Sequence, residues 1–257
     1  MSIRIGTGLR NHLAQHGSFK NAMEGGKIEI YSGSQPATPQ TAASGTLLCT
    51  ITAASAARTA EVVSSGTVTL TGGASGSIDT VTVNSVNIIP SGIVAFNTSL
   101  TQTATDLTTA INNNTSNPEY RAESSGAVVT IYAMRNTGTS PNAFAVTATL
   151  TTITASYGNM AGGVASVNGL SWGSAAAGAI DRLSTQTWSG VNGVTGTAGW
   201  FRAYGSVADA GGTDATTTAI RMDGAIAASG SDLNMSVDLT AAATTTISSL
   251  ATTVPAS

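Results

Sequence analysis

Charge is the scarcest property of this sequence. Asp, Glu, Lys and Arg make up 9% of 257 residues, where an ordinary soluble domain carries about a quarter. Lysine occurs only as Lys20 and Lys27, and the formal net charge is -3. So few cations provide no basic stripe to neutralise phosphates, so no nucleic-acid partner is expected. Cysteine occurs once, as Cys49 in the apolar stretch Leu47-Leu48-Cys49-Thr50-Ile51. It can form no intrachain disulfide and reads as a small buried hydrophobe, leaving stability to packing or to partner subunits. No run approaches the ~20 apolar residues that span a bilayer, and Met1-Ser2-Ile3-Arg4-Ile5-Gly6 lacks a secretory apolar core. No membrane is expected, and cytoplasmic synthesis is.

What the chain does have is Thr, Ala, Ser and Gly, which clothe a surface in hydroxyls and small side chains. Such a surface costs little to desolvate and suits wide protein contacts. Thr7 is placed to cap a first helix with Leu9 and Leu13 four apart, Gly17 stops it, and Ser18 opens a second turn through Met23. Lys27 to Ser32 alternates at period two, Pro36 and Pro39 break the ladder, and residues 45–52 form a second strand. From Gly66 the texture changes. Residues 67–71, 78–83 and 86–89 read as successive hairpin arms.

Leu100, Ala104, Leu107 and Ile111 then mark an amphipathic helix capped by Ser99 or Thr101 and ending in Asn112-Asn113-Asn114. Strands are predicted at 120–123, 127–134 and 144–154, and this helix is expected to cover one face of their sheet. After Gly163, Trp172, Trp188, Trp200 and Phe201 are expected in a sandwich core or a subunit interface. Strand character returns at 199–204, 219–224, 233–239 and 244–254. The expected architecture is mainly β. A split, jelly-roll-like β-sandwich platform with an N-terminal helix is formed by 1–58 and 164–257, and a small α/β sandwich domain with one amphipathic helix is inserted over 60–163.

Chemical motifs are few. His12 and His16 stand four apart, a spacing that lets two imidazoles face one metal, but Leu13 takes the place of a catalytic Glu and no third ligand is suggested. Gly6-Thr7-Gly8 precedes a helix without the third glycine of a dinucleotide site. Asp209 and Asp214 share a flexible loop that could collect calcium weakly, but the EF-hand pattern is absent. Both histidines lie in one helix and no Gly-x-Ser-x-Gly elbow occurs, so no catalytic triad is assigned. A glycan depolymerase would need paired carboxylates in a cleft, and acidic residues here are sparse and scattered. No catalytic, cofactor-binding or metal residue is expected.

Gly8-Leu9-Arg10-Asn11, Ile28-Glu29-Ile30-Tyr31-Ser32-Gly33-Ser34-Gln35-Pro36 and Gly45-Thr46-Leu47-Leu48 form an ordered series of phrases. Ala198-Gly199-Trp200-Phe201-Arg202, Arg221-Met222-Asp223-Gly224 and Asp232-Leu233-Asn234-Met235-Ser236 continue it. Together these phrases of the outer segments resemble a family of virion structural proteins of tailed bacteriophages. The insert resembles a module recurring in phage structural proteins, through Val81-Thr82-Val83-Asn84, Thr103-Ala104-Thr105-Asp106-Leu107, Val128-Val129-Thr130-Ile131 and the turn Asn136-Thr137-Gly138. The resemblance implies a structural part of the particle and no enzyme activity. The expected role is a head decoration or cement protein, a homotrimer bound to the major capsid protein or other virion subunits. The alternative is a tail, neck or fibre component with the insert as receptor- or glycan-binding module, for which Trp172 and Trp188 are the aromatic candidates.

Overall fold

The computed structural model of the protein describes residues 3–114 and 116–253. It is mainly β and β-sandwich-like, built from several antiparallel sheets and three helices among the described residues. Its contacts divide the chain into two units, Met1–Glu61 with Ser166–Ser257 and Val62–Ala165. The junctions thus stand at 61/62 and 165/166, against the 58–60 and 163–164 read from composition.

The first unit begins with β1 (Arg4–Ile5), α1 (Thr7–Gln15), α2 (Phe19–Met23), β2 (Lys27–Ser32) and β3 (Leu47–Ala53). Gly6, not Thr7, is the N-cap of α1, and the Thr7 hydroxyl instead accepts a bond from Arg10 Nη2 at 2.9 Å. A Cβ on Gly8 would stand 2.4 Å from the Ala219 carbonyl oxygen, so the helix lies directly against that backbone. This close approach sets the helix rotation. Gly8, Leu9 and His12 point inward, while Leu13, expected on the buried stripe, is 37% exposed. Ser18 caps α2 as predicted, accepting from Asn21 N at 3.1 Å.

The second unit contains β4 (Ser65–Gly72), β5 (Ser77–Val83), β6 (Val86–Asn87), β7 (Val94–Ala95), α3 (Leu100–Asn112), β8 (Tyr120–Ser125), β9 (Val128–Ala133), β10 (Val146–Thr151) and β11 (Thr154–Ala161). Only part of the expected hairpin series exists. β5 and β6 form a hairpin across Asn84 and Ser85, both at positive φ as a type I′ turn demands, whereas β4 and β5 belong to different sheets. One sheet runs β10-β5-β6 with β7 also on β5, and the other runs β11-β4-β9-β8. The strand predicted over 144–154 is two strands, because the chain turns at Thr152 (φ 65°) to leave one sheet for the other. α3 starts at the Ser99 cap and buries Thr103, Ala104, Leu107 and Ile111 against β8, β9, β4 and β7. The asparagines at its end have work to do: the Asn112 side chain makes two hydrogen bonds (2.9 and 2.8 Å) to the backbone of Ala122, and Asn114 donates to Ile88 O. Val68, Ile78, Val81, Leu107, Val129 and Ile131, all at 0% exposure, centre a core that belongs to this unit alone.

The chain then completes the first unit with β12 (Ala179–Ile180), β13 (Trp188–Val191), β14 (Gly196–Tyr204), β15 (Arg221–Ala227), β16 (Leu233–Asn234), β17 (Asp238–Leu239), β18 (Thr244–Ile247) and β19 (Thr252–Thr253). The alternating stretches at 233–239 and 244–254 each break into two short strands with different partners; Val254 lies outside the described residues. A nine-stranded sheet runs β1-β15-β14-β2-β3-β13-β18, with β16 and β17 added on β15 and β14, so strands from both ends of the sequence alternate within it. One face is apolar: Ile5, Met222, Ala203, Ile28 and Ile51 form one cross-strand row, and Phe201, Ile30 and Cys49 belong to the next. Phe19 and Trp172 pack on it, Trp172 meeting Phe19 and the sheet's own Trp188 edge-to-face, each pair 5.0 Å apart.

Candidate functional site

The opposite face of that sheet is polar and, unusually for this chain, charged. Residues directly opposite in neighbouring strands share a face. The register therefore lines up Arg4, Asp223, Arg202, Glu29 and Thr50 in one row, and Arg221, Tyr204 and Lys27 in the next. Cation and anion alternate along the first row. Arg202 and Asp223, both at 0% exposure, make two parallel bonds of 2.7 Å, the strongest geometry an ion pair has. Burial disfavours the Arg202 charge, but Asp223 more than restores it and holds the guanidinium above its ordinary pKa; burial keeps the Asp223 carboxyl raised against the pull of Arg202. Arg221 grips Asp209 with two bonds (2.7 and 2.6 Å). Lys27 Nζ donates to Glu29 Oε1 and the Tyr31 hydroxyl to Glu29 Oε2, each at 2.5 Å. Burial first, and then Glu29, pushes the Tyr31 phenol well above its usual pKa, and burial does the same to Tyr204.

Two loops roof this charge lattice. Carbonyls of the one after β2 (residues 33–46) accept further guanidinium N–H groups: Arg4 donates to Pro36 O and Ala37 O, Arg221 to Pro39 O, and Arg202 to Thr41 O; the other loop follows β14 (residues 205–220). The loops are tied to each other by Ala43 N to Gly211 O and Asp214 N to Gln40 O, both 2.8 Å. Seven charged residues are thereby turned inward, in a chain that has only 10 basic and 13 acidic ones.

Beyond β2 the same face opens into a groove of about 750 Å³. Continuing the register sets Thr50 beside Val191 and Lys27 beside Thr52, and these four line the groove with Ser55, Arg58, Asp209 and five alanines. Its lip is a turn with both Ala54 and Ser55 at positive φ (50° and 59°), a conformation that costs each residue energy. Ser55 Oγ meets Ser189 Oγ at 2.8 Å, which fixes that turn to β13. Arg58 is held by the carbonyls of Gly25, Gly205 and Ser206, and burial lowers its pKa. At the far end Val191 is 56% exposed, with Leu47 (41%) and Val194 (44%) also open to solvent on the neighbouring ends of β3 and the β13 loop.

No family model, curated protein or solved structure matches the chain.

The residues singled out from sequence fall elsewhere or are already engaged. His12 is buried on the inner side of α1, with the His16 ring 6.0 Å away. Among the described residues no group of three or more His, Cys, Asp or Glu could hold a metal, and no helix is long and apolar enough to cross a membrane. The suspected calcium loop has its carboxylates occupied by protein donors: Asp209 by Arg221 and Gly211 N, and Asp214 by Thr216 Oγ1 and the N–H groups of Thr218 and Ala219. Trp172 and Trp188, the aromatic candidates for a glycan platform, are 1% and 0% exposed and donate to Met23 O and Gln186 Oε1. They are core. Cys49 is 2% exposed, and burial pushes its thiol up to about 11, which leaves it unreactive at neutral pH. Sequence reasoning missed the charge lattice. Arg202 and Asp223 stand 21 positions apart, and no spacing rule connects them before the strand register is known.

Proposed function

We propose that this chain is a structural subunit of a bacteriophage particle, a head decoration protein that binds and stabilises the assembled shell as a homotrimer. The observation that carries this reading is where the charge goes. The first unit turns seven of its 17 charged residues under its own loops and presents an uncharged hydroxyl and valine surface at Thr50, Val191, Thr244 and Thr246. Such a surface gives up little hydration when another protein covers it. A subunit that binds the assembled lattice in preference to free coat protein stabilises it by mass action, with no reaction required. Heads assembled without the protein should disrupt at lower urea or after a milder salt shock than heads carrying it. Equal resistance would overturn the reading.

One observation favours a second reading, a tail, neck or fibre component whose insert holds a glycan. On the solvent face of the β11-β4-β9-β8 sheet, Arg121 lies 4.3 Å over the Tyr132 ring and bonds Glu123 at 3.0 Å, an aromatic ring beside an exposed ion pair. Labelled protein spread over the head supports decoration, and label confined to one vertex supports the tail reading.

A further inference from the structure

We propose that the groove beside the charge lattice seats an extended, carboxylate-bearing segment of a neighbouring shell subunit, with its carboxylate on Lys27 and an apolar side chain on Val191. This inference rests on the particle-binding reading and assigns its contact surface.

Charge complementarity selects the occupant. The carboxylates at and beside the groove, Asp209 and Glu29, each already pair with a cation of the protein. Asp209 Oδ1 accepts from Arg221 Nη2 and Gly211 N, and its Oδ2 accepts from Arg221 Nε. Glu29 Oε1 and Oε2 accept from Lys27 and Tyr31. The ammonium of Lys27 has three N–H donors and directs one of them to Glu29, its charge lying 4.9 Å from the Tyr204 ring. The groove thus offers the two further N–H donors of Lys27 beside carboxylates already paired with cations, which favours an incoming anion over a cation.

Shape selects an extended chain. Five lining residues are alanines, at 56, 57, 60, 208 and 210, so a foreign main chain can approach closely along the groove. Thr50 supplies a hydroxyl on its floor, beside Thr52 whose own hydroxyl donates to Ala56 O, and the exposed Val191 ends it with an apolar seat. An extended peptide presents alternate side chains to one surface, which matches an acidic residue followed by an apolar one.

The chain's two lysines make the test clean. Full-length protein, free and bound to heads that lack it, is treated with an amine-acetylating reagent and read by mass spectrometry. Lys27 should be labelled at least fivefold less on heads than in solution, relative to Lys20. In co-sedimentation, Val191→Arg, which alters only an exposed side chain, and Lys27→Gln should each weaken head binding at least tenfold, with circular dichroism unchanged for Val191→Arg. If wild type binds heads while Lys27 labels equally in both states and Val191→Arg binds normally, the groove assignment is overturned and particle binding stands. If wild type does not bind heads at all, the particle-binding reading falls and this one with it.

Discussion

Arg202 and Asp223 show how unequal two ion pairs can be. Both members lie at 0% side-chain exposure, whereas Arg121 and Glu123 keep 38% and 63%. Arg202→Met should cost about 3–5 kcal/mol because it leaves a buried carboxylate without a partner. Arg121→Ala should cost under about 1 kcal/mol, since water already screens that pair. Urea denaturation of the two variants measures the contrast, and equal losses would show that the lattice is not a structural keystone. Acid should weaken the lattice through Asp209. Burial alone would raise its carboxyl, but Arg221 and the Gly211 N–H overcome that and hold it below the ordinary value. A carboxyl depressed in the folded state contributes stability above its unfolded pKa of about 3.9, and that stability is lost as pH falls below it toward the folded value. Asp209→Asn should therefore destabilise at pH 7 and converge on wild type as the pH falls below about 3.9, read from urea midpoints between neutral and acid pH. None of this was visible in the sequence, where Asp209 reads as a solvated loop residue and Arg202 as one polar position in a strand.

At the scale of elements, local chemistry was legible wherever one residue decides the backbone. Ser99 accepts from Gln102 N at 3.1 Å and starts α3 where the pattern places it. Ser99→Ala should lower stability by about 1 kcal/mol in thermal or urea melts, and an unchanged melt would mean the helix is fixed by packing alone. The β5–β6 turn holds Asn84 and Ser85 at φ 48° and 68°. Glycine is the favoured second residue of such a turn, so Ser85→Gly should stabilise by roughly 0.5–1 kcal/mol. Pairing was less legible. β4 and β5 are consecutive and both alternate, yet they lie in separate sheets, because alternation fixes which residues share a face and not which strand is the neighbour. The same gap explains Leu13: helical spacing allows Leu9 and Leu13 on one stripe, but the contact of Gly8 with the Thr218–Ala219 backbone turns Leu13 outward.

For the whole molecule, the second unit has its own sheets, helix and core. Expressed alone, residues 62–165 should fold with one cooperative thermal transition and a β-rich circular dichroism spectrum. A spectrum of unfolded chain would show that this core needs the rest of the protein. The sequence by itself determined the mainly β character, the amphipathic helix and the burial of Cys49 and the tryptophans, because these follow from composition and periodicity within a few residues of each other. Only the tertiary structure decided that strands from the two ends of the chain interleave in one sheet. From that interleaving come the row that sets Glu29 beside Arg202, the loop roof and the open groove. These depend on register between segments more than a hundred residues apart, and such a register is selected by packing the apolar face, which no local pattern encodes.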